Sequence, residues 1–276
     1  MSTHCEIQDK GDRLVVINRN AARRNALSPD FTAGLRSALA QATAAPRIAS
    51  VIVTGEGGFF CAGGDLTVLQ NAGQMTEAQR RGRIADLAQL MREVMGCARP
   101  VIAAVDGGAA GAGFSLAFAC DLIVAARDAK FTAAYVNAGL VPDGGLTGSL
   151  MAALPPALAS EIALTGRPVG AERLHALGAI NELTEPGQAL EAANALADRL
   201  AQGPAEAQAS IKKLMVGARA QLMEQQFEAE TPHMARALAG SEAAEGMAAF
   251  LTKRPAEYAR LRLAAGGGAA PSETAN

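Results

Sequence analysis

Apolar residues along the chain fall into short unbroken runs and longer periodic stretches. Residues 50–54, 101–105 and 122–126 are unbroken runs bounded by glycine or polar residues, which predicts buried strands. Residues 5–8 and 13–18 flank Asp9-Lys10-Gly11-Asp12 and predict a hairpin with glycine in its turn. Ser28-Pro29 reads as an N-cap with proline at the first helical position, and Phe31, Leu35, Ala38 and Leu39 follow at helical spacing. A second helix is expected at about 76–97, and a small-residue helix from near Gly111. Beyond Gly145 the pattern turns largely helical: 146–154, 157–164, 171–177, a strand at 179–183, then helices at 187–201, 205–239 and 241–252.

This order predicts an α/β protein in three parts: a core at 1–203, a helical region at 204–265, and a small, polar tail at 266–276 expected to be disordered. With 276 residues, half of them apolar, a substantial core is available. The net charge of −2, with no long basic run, argues against nucleic acid and anionic membranes as partners. The polar start of the chain lacks a signal-peptide pattern, and no apolar stretch approaches the roughly 20 residues of a bilayer span. Cys5, Cys61, Cys97 and Cys120 show neither CxxC spacing nor a nearby histidine ligand pattern. Reduced thiols, no metal and a cytoplasmic location are the expectation.

Two glycine-rich turns carry the candidate chemistry: Ala62-Gly63-Gly64-Asp65 and the 107–113 segment, each after a strand and before a helix. Glycine lets backbone approach a ligand closely, and a helix start aims free N–H groups at it. Two converging N–H groups suit a developing oxyanion. A dinucleotide fingerprint fails because Leu116 stands where glycine is needed, and no Gly-Lys-Ser/Thr follows to make a phosphate loop. Asp143, in the Pro142–Gly145 turn, supplies a carboxylate; turn chemistry alone would also place it there. Asp65 is expected to cap a helix and Asp121 to anchor a strand. Ser115 lacks a nucleophile elbow, and His4, His175 and His233 offer no triad.

Seven ordered motifs resemble the enoyl-CoA hydratase/isomerase (crotonase) superfamily over nearly the whole chain. They include Arg24-Asn25-Ala26-Leu27, Phe60-Cys61-Ala62-Gly63-Gly64-Asp65-Leu66, the 100–107 segment, the 110–122 segment, the 139–145 segment, Leu164-Thr165-Gly166 and the 245–254 segment. The resemblance implies a ClpP/crotonase-like spiral of strand–strand–helix units. It also implies C-terminal helices that build a homotrimer or a hexamer of paired trimers. The implied substrate is an acyl-CoA thioester, with coenzyme A arriving as part of it and no separate cofactor. It places the oxyanion-hole N–H groups on Gly64 and Ala112. Arg24, Ala26, Ala62, Asp65, Leu66, Phe250 and Lys253 fall at substrate or CoA contacts, with Lys253 toward phosphate.

The departures from the family pattern point to the reaction. Ser115 and Tyr135 occupy the positions of the two glutamates that activate water in standard hydratases of the family. Asp143 matches the working aspartate of several isomerases and a dehalogenase, and the surrounding motifs resemble phenylacetate-pathway ring isomerases and oxepin-CoA hydrolases. The leading expectation is an isomerase in which Asp143 shuttles a proton while Tyr135 and Ser115 shape the pocket. Four alternatives stay open: hydration by Asp143 alone, attack on carbon by Asp143, hydrolysis of an acyl-CoA ring, and a non-catalytic CoA- or RNA-binding scaffold. Phe59, Phe60, Val68, Leu69, Tyr135 and Val141 are the expected acyl-pocket lining.

Overall fold

The computed structural model describes residues 4–261; the tail expectation at 266–276 lies outside them. Strands β1 (Cys5–Asp9) and β2 (Arg13–Asn18) form the expected antiparallel hairpin. Helix α1 (Pro29–Ala44) starts at Ser28, whose hydroxyl accepts the Phe31 N–H at 3.2 Å. Then come β3 (Ser50–Gly55), α2 (Leu66–Leu69), α3 (Glu77–Gly96), β4 (Val101–Val105), β5 (Gly108–Ala110), α4 (Ala112–Ala119), β6 (Leu122–Ala126) and β7 (Lys130–Thr132). The C-terminal part holds α5 (Leu146–Ala153), α6 (Pro156–Thr165), β8 (Val169–Gly170), α7 (Ala171–Ala176), β9 (Glu182–Thr184), α8 (Ala189–Ala201), α9 (Ala205–Ala237) and α10 (Ser241–Leu251).

The main sheet runs β1-β2-β3-β4-β6-β9, parallel except for the first pair. Its central strands are covered on both faces, which explains their unbroken apolar runs. Side chains alternate: Leu14, Val16, Val51 and Val53 join the main core, while Val15, Ile52, Ile102 and Val124 pack against Ala189, Ala193 and Ala197 of α8.

A second sheet, β5-β7-β8, has strands of two or three residues, too short to leave a period in the sequence. The strand expected at 179–183 begins later, at Glu182. Gly178 turns the chain at φ +78°. Asn181 then accepts the Ile123 N–H through its side chain at 2.7 Å, and pairing with β6 follows.

The C-terminal helices share the main core, since Met223, Phe227, Met234, Leu238 and Met247 belong to it. An ion pair between a buried lysine and a partly exposed aspartate helps join α9 to the sheet. Lys212 Nζ lies 2.6 Å from Asp121 Oδ2 and donates to the Arg99 carbonyl at 3.0 Å. The same Asp121 oxygen accepts the Val101 N–H at 2.7 Å. Asp121 therefore anchors β4 as well as the start of its own strand.

Candidate active site

The two glycine turns meet. Cys61 pairs with Ala109 in a parallel bridge, and the Ala110 N–H donates to the Cys61 carbonyl at 2.9 Å. Gly63 has φ +85°, and a Cβ there would lie 2.7 Å from the Ala112 nitrogen. A Cβ on Gly113 would lie 2.2 Å from the Cys61 oxygen. Only glycine permits this approach. It sets Gly64 beside the first residue of α4, and among the described residues neither the Gly64 nor the Ala112 N–H has a hydrogen-bond partner. Both residues line one cavity of about 590 Å³.

The loop before α1 closes a second side. Arg24 and Asn25 take left-handed conformations, at φ +49° and +56°. The buried Asn25 amide holds this shape by donating to the Glu56 and Phe59 carbonyls at 2.8 and 2.5 Å. The Arg24 carbonyl then accepts the Ala62 N–H, and the Leu27 N–H reaches the Gly63 carbonyl. The Arg24 guanidinium stacks over Phe59 at 5.2 Å. Asp65 caps α2 by accepting the Thr67 N–H at 2.9 Å, as its position predicted.

Asp143 lies on the cavity wall, 6% exposed. Tyr135 Oη donates to its Oδ1 at 2.8 Å. Ser115 Oγ donates to the Asp143 carbonyl oxygen at 2.9 Å and lies 3.0 Å from Tyr135 Oη. Burial lifts the Asp143 carboxyl to a pKa of about 7; the Tyr135 hydrogen bond pulls it down, and the nearby Glu230 carboxylate pushes it up. Burial raises the Tyr135 hydroxyl well above its ordinary value, so it stays a donor. Cys61, buried beneath, is pushed up to about 12 and is chemically quiet.

Glu230 was not anticipated. Its two oxygens accept the Gly145 N–H at 2.7 Å, the Thr147 N–H at 3.1 Å and the Thr147 hydroxyl at 2.6 Å. Gly145 is the N-cap of α5 and has no side chain of its own to do this. A carboxylate from α9, 85 residues away, therefore caps α5 and pins the turn that carries Asp143. A signal was present in the sequence: Glu230 interrupts the stripe Met223, Phe227, Met234, Leu238 at helical spacing.

Of the residues picked out from the sequence, the cavity wall contains Arg24, Ala26, Ala62, Gly64, Asp65, Leu66, Ala112, Tyr135, Asp143 and Phe250. Ser115 is buried behind Tyr135, and Lys253 is exposed after α10; neither lines the cavity. Of the residues expected to line the acyl pocket, Phe59, Leu69 and Tyr135 line this cavity. Phe60 in the core, half-exposed Val68, and Val141 packed against the core do not line it. Met75, Ile84, Leu87, Met234 and Leu238 supply apolar wall instead. No group of three or more metal-ligating side chains occurs among the described residues. No helix among them is long and apolar enough to cross a membrane.

Two unpartnered N–H groups and one buried acid thus line a single cavity, on a mixed α/β chain with a C-terminal helical region that has the crotonase fold. A sequence model of the enoyl-CoA hydratase/isomerase family matches residues 11–260, and the chain belongs to that family. It is 32% identical over 252 residues to the 1,2-epoxyphenylacetyl-CoA isomerase of Escherichia coli, covering 91% of this chain and 95% of the relative. It is 31% identical to the crotonyl-CoA hydratase of Syntrophomonas wolfei, covering 91% and 96%. Among solved structures, an enoyl-CoA hydratase from Polaromonas sp. JS666 superposes with a TM-score of 0.75 at 43% identity, covering 92% of this chain and 98% of that one.

Proposed function

We propose that the enzyme isomerises an unsaturated acyl-CoA thioester, with Asp143 as its single acid and base. In a 3-enoyl thioester, Asp143 takes a proton from C2. The electron pair moves into the enolate, and its oxygen receives hydrogen bonds from the Gly64 and Ala112 N–H groups. Asp143 then returns the proton at C4, giving the 2-enoyl product with no change in composition. Two preorganised donors in a water-poor pocket lower the barrier by roughly 3–4 kcal/mol each, which brings the C2 proton within reach of a carboxylate.

The observation that carries this reading is the buried Asp143 carboxyl on the cavity wall, with a pKa of about 7. At neutral pH it both takes and gives a proton readily. Ser115 and Tyr135 cannot serve as carboxylate bases, which weakens the two-acid hydratase mechanism. Hydration by Asp143 alone remains the second reading, favoured by the similarity to the crotonyl-CoA hydratase. Supplying 3-enoyl-CoA and crotonyl-CoA separately decides between them. Isomerisation of the first without hydration of the second supports our proposal; fast loss of conjugated-enoyl absorbance from crotonyl-CoA overturns it.

We further propose a cytoplasmic homotrimer or paired trimer that uses no metal or separate cofactor. The exposed Ile211, Leu214 and Met215 on α9 support a covered face there, and the four free cysteines suit a reducing compartment.

A further inference from the structure

Helix α3 forms one wall of the cavity and works as a ruler. At its inner end Met91 packs against the Asp143 turn, since a Cβ on Gly144 would stand 3.5 Å from Met91 Cγ. Toward the helix N-terminus the cavity wall continues through Leu87 and Ile84, then Arg83 and Arg80. At 1.5 Å per residue, Arg83 lies about 12 Å and Arg80 about 16 Å along the axis from Met91. Along α3 the cavity lining is apolar at Leu87 and Ile84 and cationic at Arg83 and Arg80.

Both guanidiniums keep unused capacity. Arg80 Nε donates to the Ala235 carbonyl at 2.8 Å, and Nη1 donates to the Ala72 carbonyl at 3.4 Å and to the Met75 carbonyl. Its Nη2 has no partner among the described residues. Arg83 has neither a hydrogen bond nor an ion pair among them. Glu77, whose charge reaches Arg80 weakly, pairs with Arg81 at 2.8 Å instead. Carbonyl partners orient Arg80 without neutralising it, so beyond the weak field of Glu77 its half-buried charge beside an apolar wall has no carboxylate partner among the described residues. A guanidinium fork is shaped to take a carboxylate through two hydrogen bonds. The other cations on the wall, Arg23 and Arg24, are engaged elsewhere, near Asp65 at 3.9 Å and over Phe59.

We propose that Arg83, with Arg80 behind it, binds an anionic group at the far end of the acyl chain. The preferred substrate class is then a medium-length acyl-CoA ending in a carboxylate, the monothioester of a dicarboxylic acid, rather than one ending in methyl. This rests on the acyl-CoA reading above and adds a specificity to it. The upstream reaction must be one that activates a single end of a diacid.

The test is calorimetric titration of the full-length protein with two enoyl-CoA thioesters of equal chain length, one ending in methyl and one in carboxylate. The same titration is run on Arg83→Gln and Arg83→Lys, with melting curves to confirm that both variants fold. The wild type is expected to favour the carboxylate end by about tenfold in Kd at low salt, a preference that fades as salt is raised. Arg83→Gln should bring the ratio near one, and Arg83→Lys should restore part of it. Equal binding of the two thioesters by the wild type, or an unchanged ratio in Arg83→Gln, overturns the inference while leaving the acyl-CoA reading intact. Binding of neither thioester overturns both.

Discussion

Tyr135 Oη and Asp143 Oδ1 stand 2.8 Å apart, both buried, with the hydroxyl as donor. Tyr135 thus holds one carboxylate oxygen; no side chain among the described residues bonds the other, Oδ2, which is the oxygen we assign to the proton transfer proposed above. The hydrogen bond favours the charged form and offsets part of the burial that raises the Asp143 pKa. Tyr135→Phe should therefore push that pKa further above 7 and move the acid limb of the pH–rate profile to higher pH. Loss of a hydrogen bond to a charged group, worth about 1.5–3 kcal/mol, should lower the rate at pH 7 roughly 10- to 100-fold. A Tyr135→Phe limb at the wild-type pH would mean that the bond does not tune the acid.

Glu230 acts on the same acid in the opposite sense. Its carboxylate raises the Asp143 pKa, so Glu230→Gln should move the acid limb to lower pH. The glutamine can replace only one of the two accepting oxygens that hold Gly145 and Thr147. A buried donor left unpaired costs about 1–3 kcal/mol, so the variant should also melt earlier. A lower melting temperature with an unmoved limb would reduce Glu230 to a structural cap.

Asp143 should make stability fall as pH rises. Its folded pKa of about 7 lies above the ordinary value of 3.8. The folded state therefore holds its proton more tightly, and this contribution is complete below pH 4 and lost as pH climbs through 7. A difference of about three units sets an upper bound near 4 kcal/mol. Asp143→Asn should match the wild type in stability near pH 4 and exceed it by 1 kcal/mol or more at pH 8, within that roughly 4 kcal/mol bound. Thermal melts of both proteins at both pH values check this; a stability difference between them that does not change with pH contradicts the raised pKa.

Two structural substitutions probe the frame around the site. Gly63→Ala places a methyl 2.6 Å from the Ala110 oxygen and 2.7 Å from the Ala112 nitrogen, at a positive φ. It should displace the Ala112 donor and lower turnover by about 10²-fold or more. Lys212→Met leaves the partly exposed Asp121 carboxylate without its buried cation and should cost about 1–3 kcal/mol. Denaturant unfolding measures the second; a change below about 0.5 kcal/mol would mean that the pair adds no more than an ordinary surface ion pair.

Much of this architecture was legible in the sequence because its signals are local. The N-cap at Ser28, the buried runs of β3, β4 and β6, and the glycines of both turns each follow from a few neighbouring residues. The second sheet left no signal, since Gly108–Ala110 and Lys130–Thr132 are too short for periodicity. Asp143 and Tyr135 were identifiable as candidates, but their contact spans a turn whose geometry is set by Glu230 on a distant helix. The place of Met234 and Leu238 in the cavity lining was hidden for the same reason, because only tertiary packing brings α9 onto the cavity.

The most direct test of Asp143 as the proton carrier is hydrogen exchange at C2. A saturated acyl-CoA, which cannot be isomerised, is incubated with enzyme in deuterium oxide, and proton magnetic resonance follows the loss of the C2 signal. The account predicts enzyme-dependent exchange in the wild type, and none above background in Asp143→Asn, although that variant still binds the thioester. Exchange at the wild-type rate in Asp143→Asn would contradict it and assign the proton to another group.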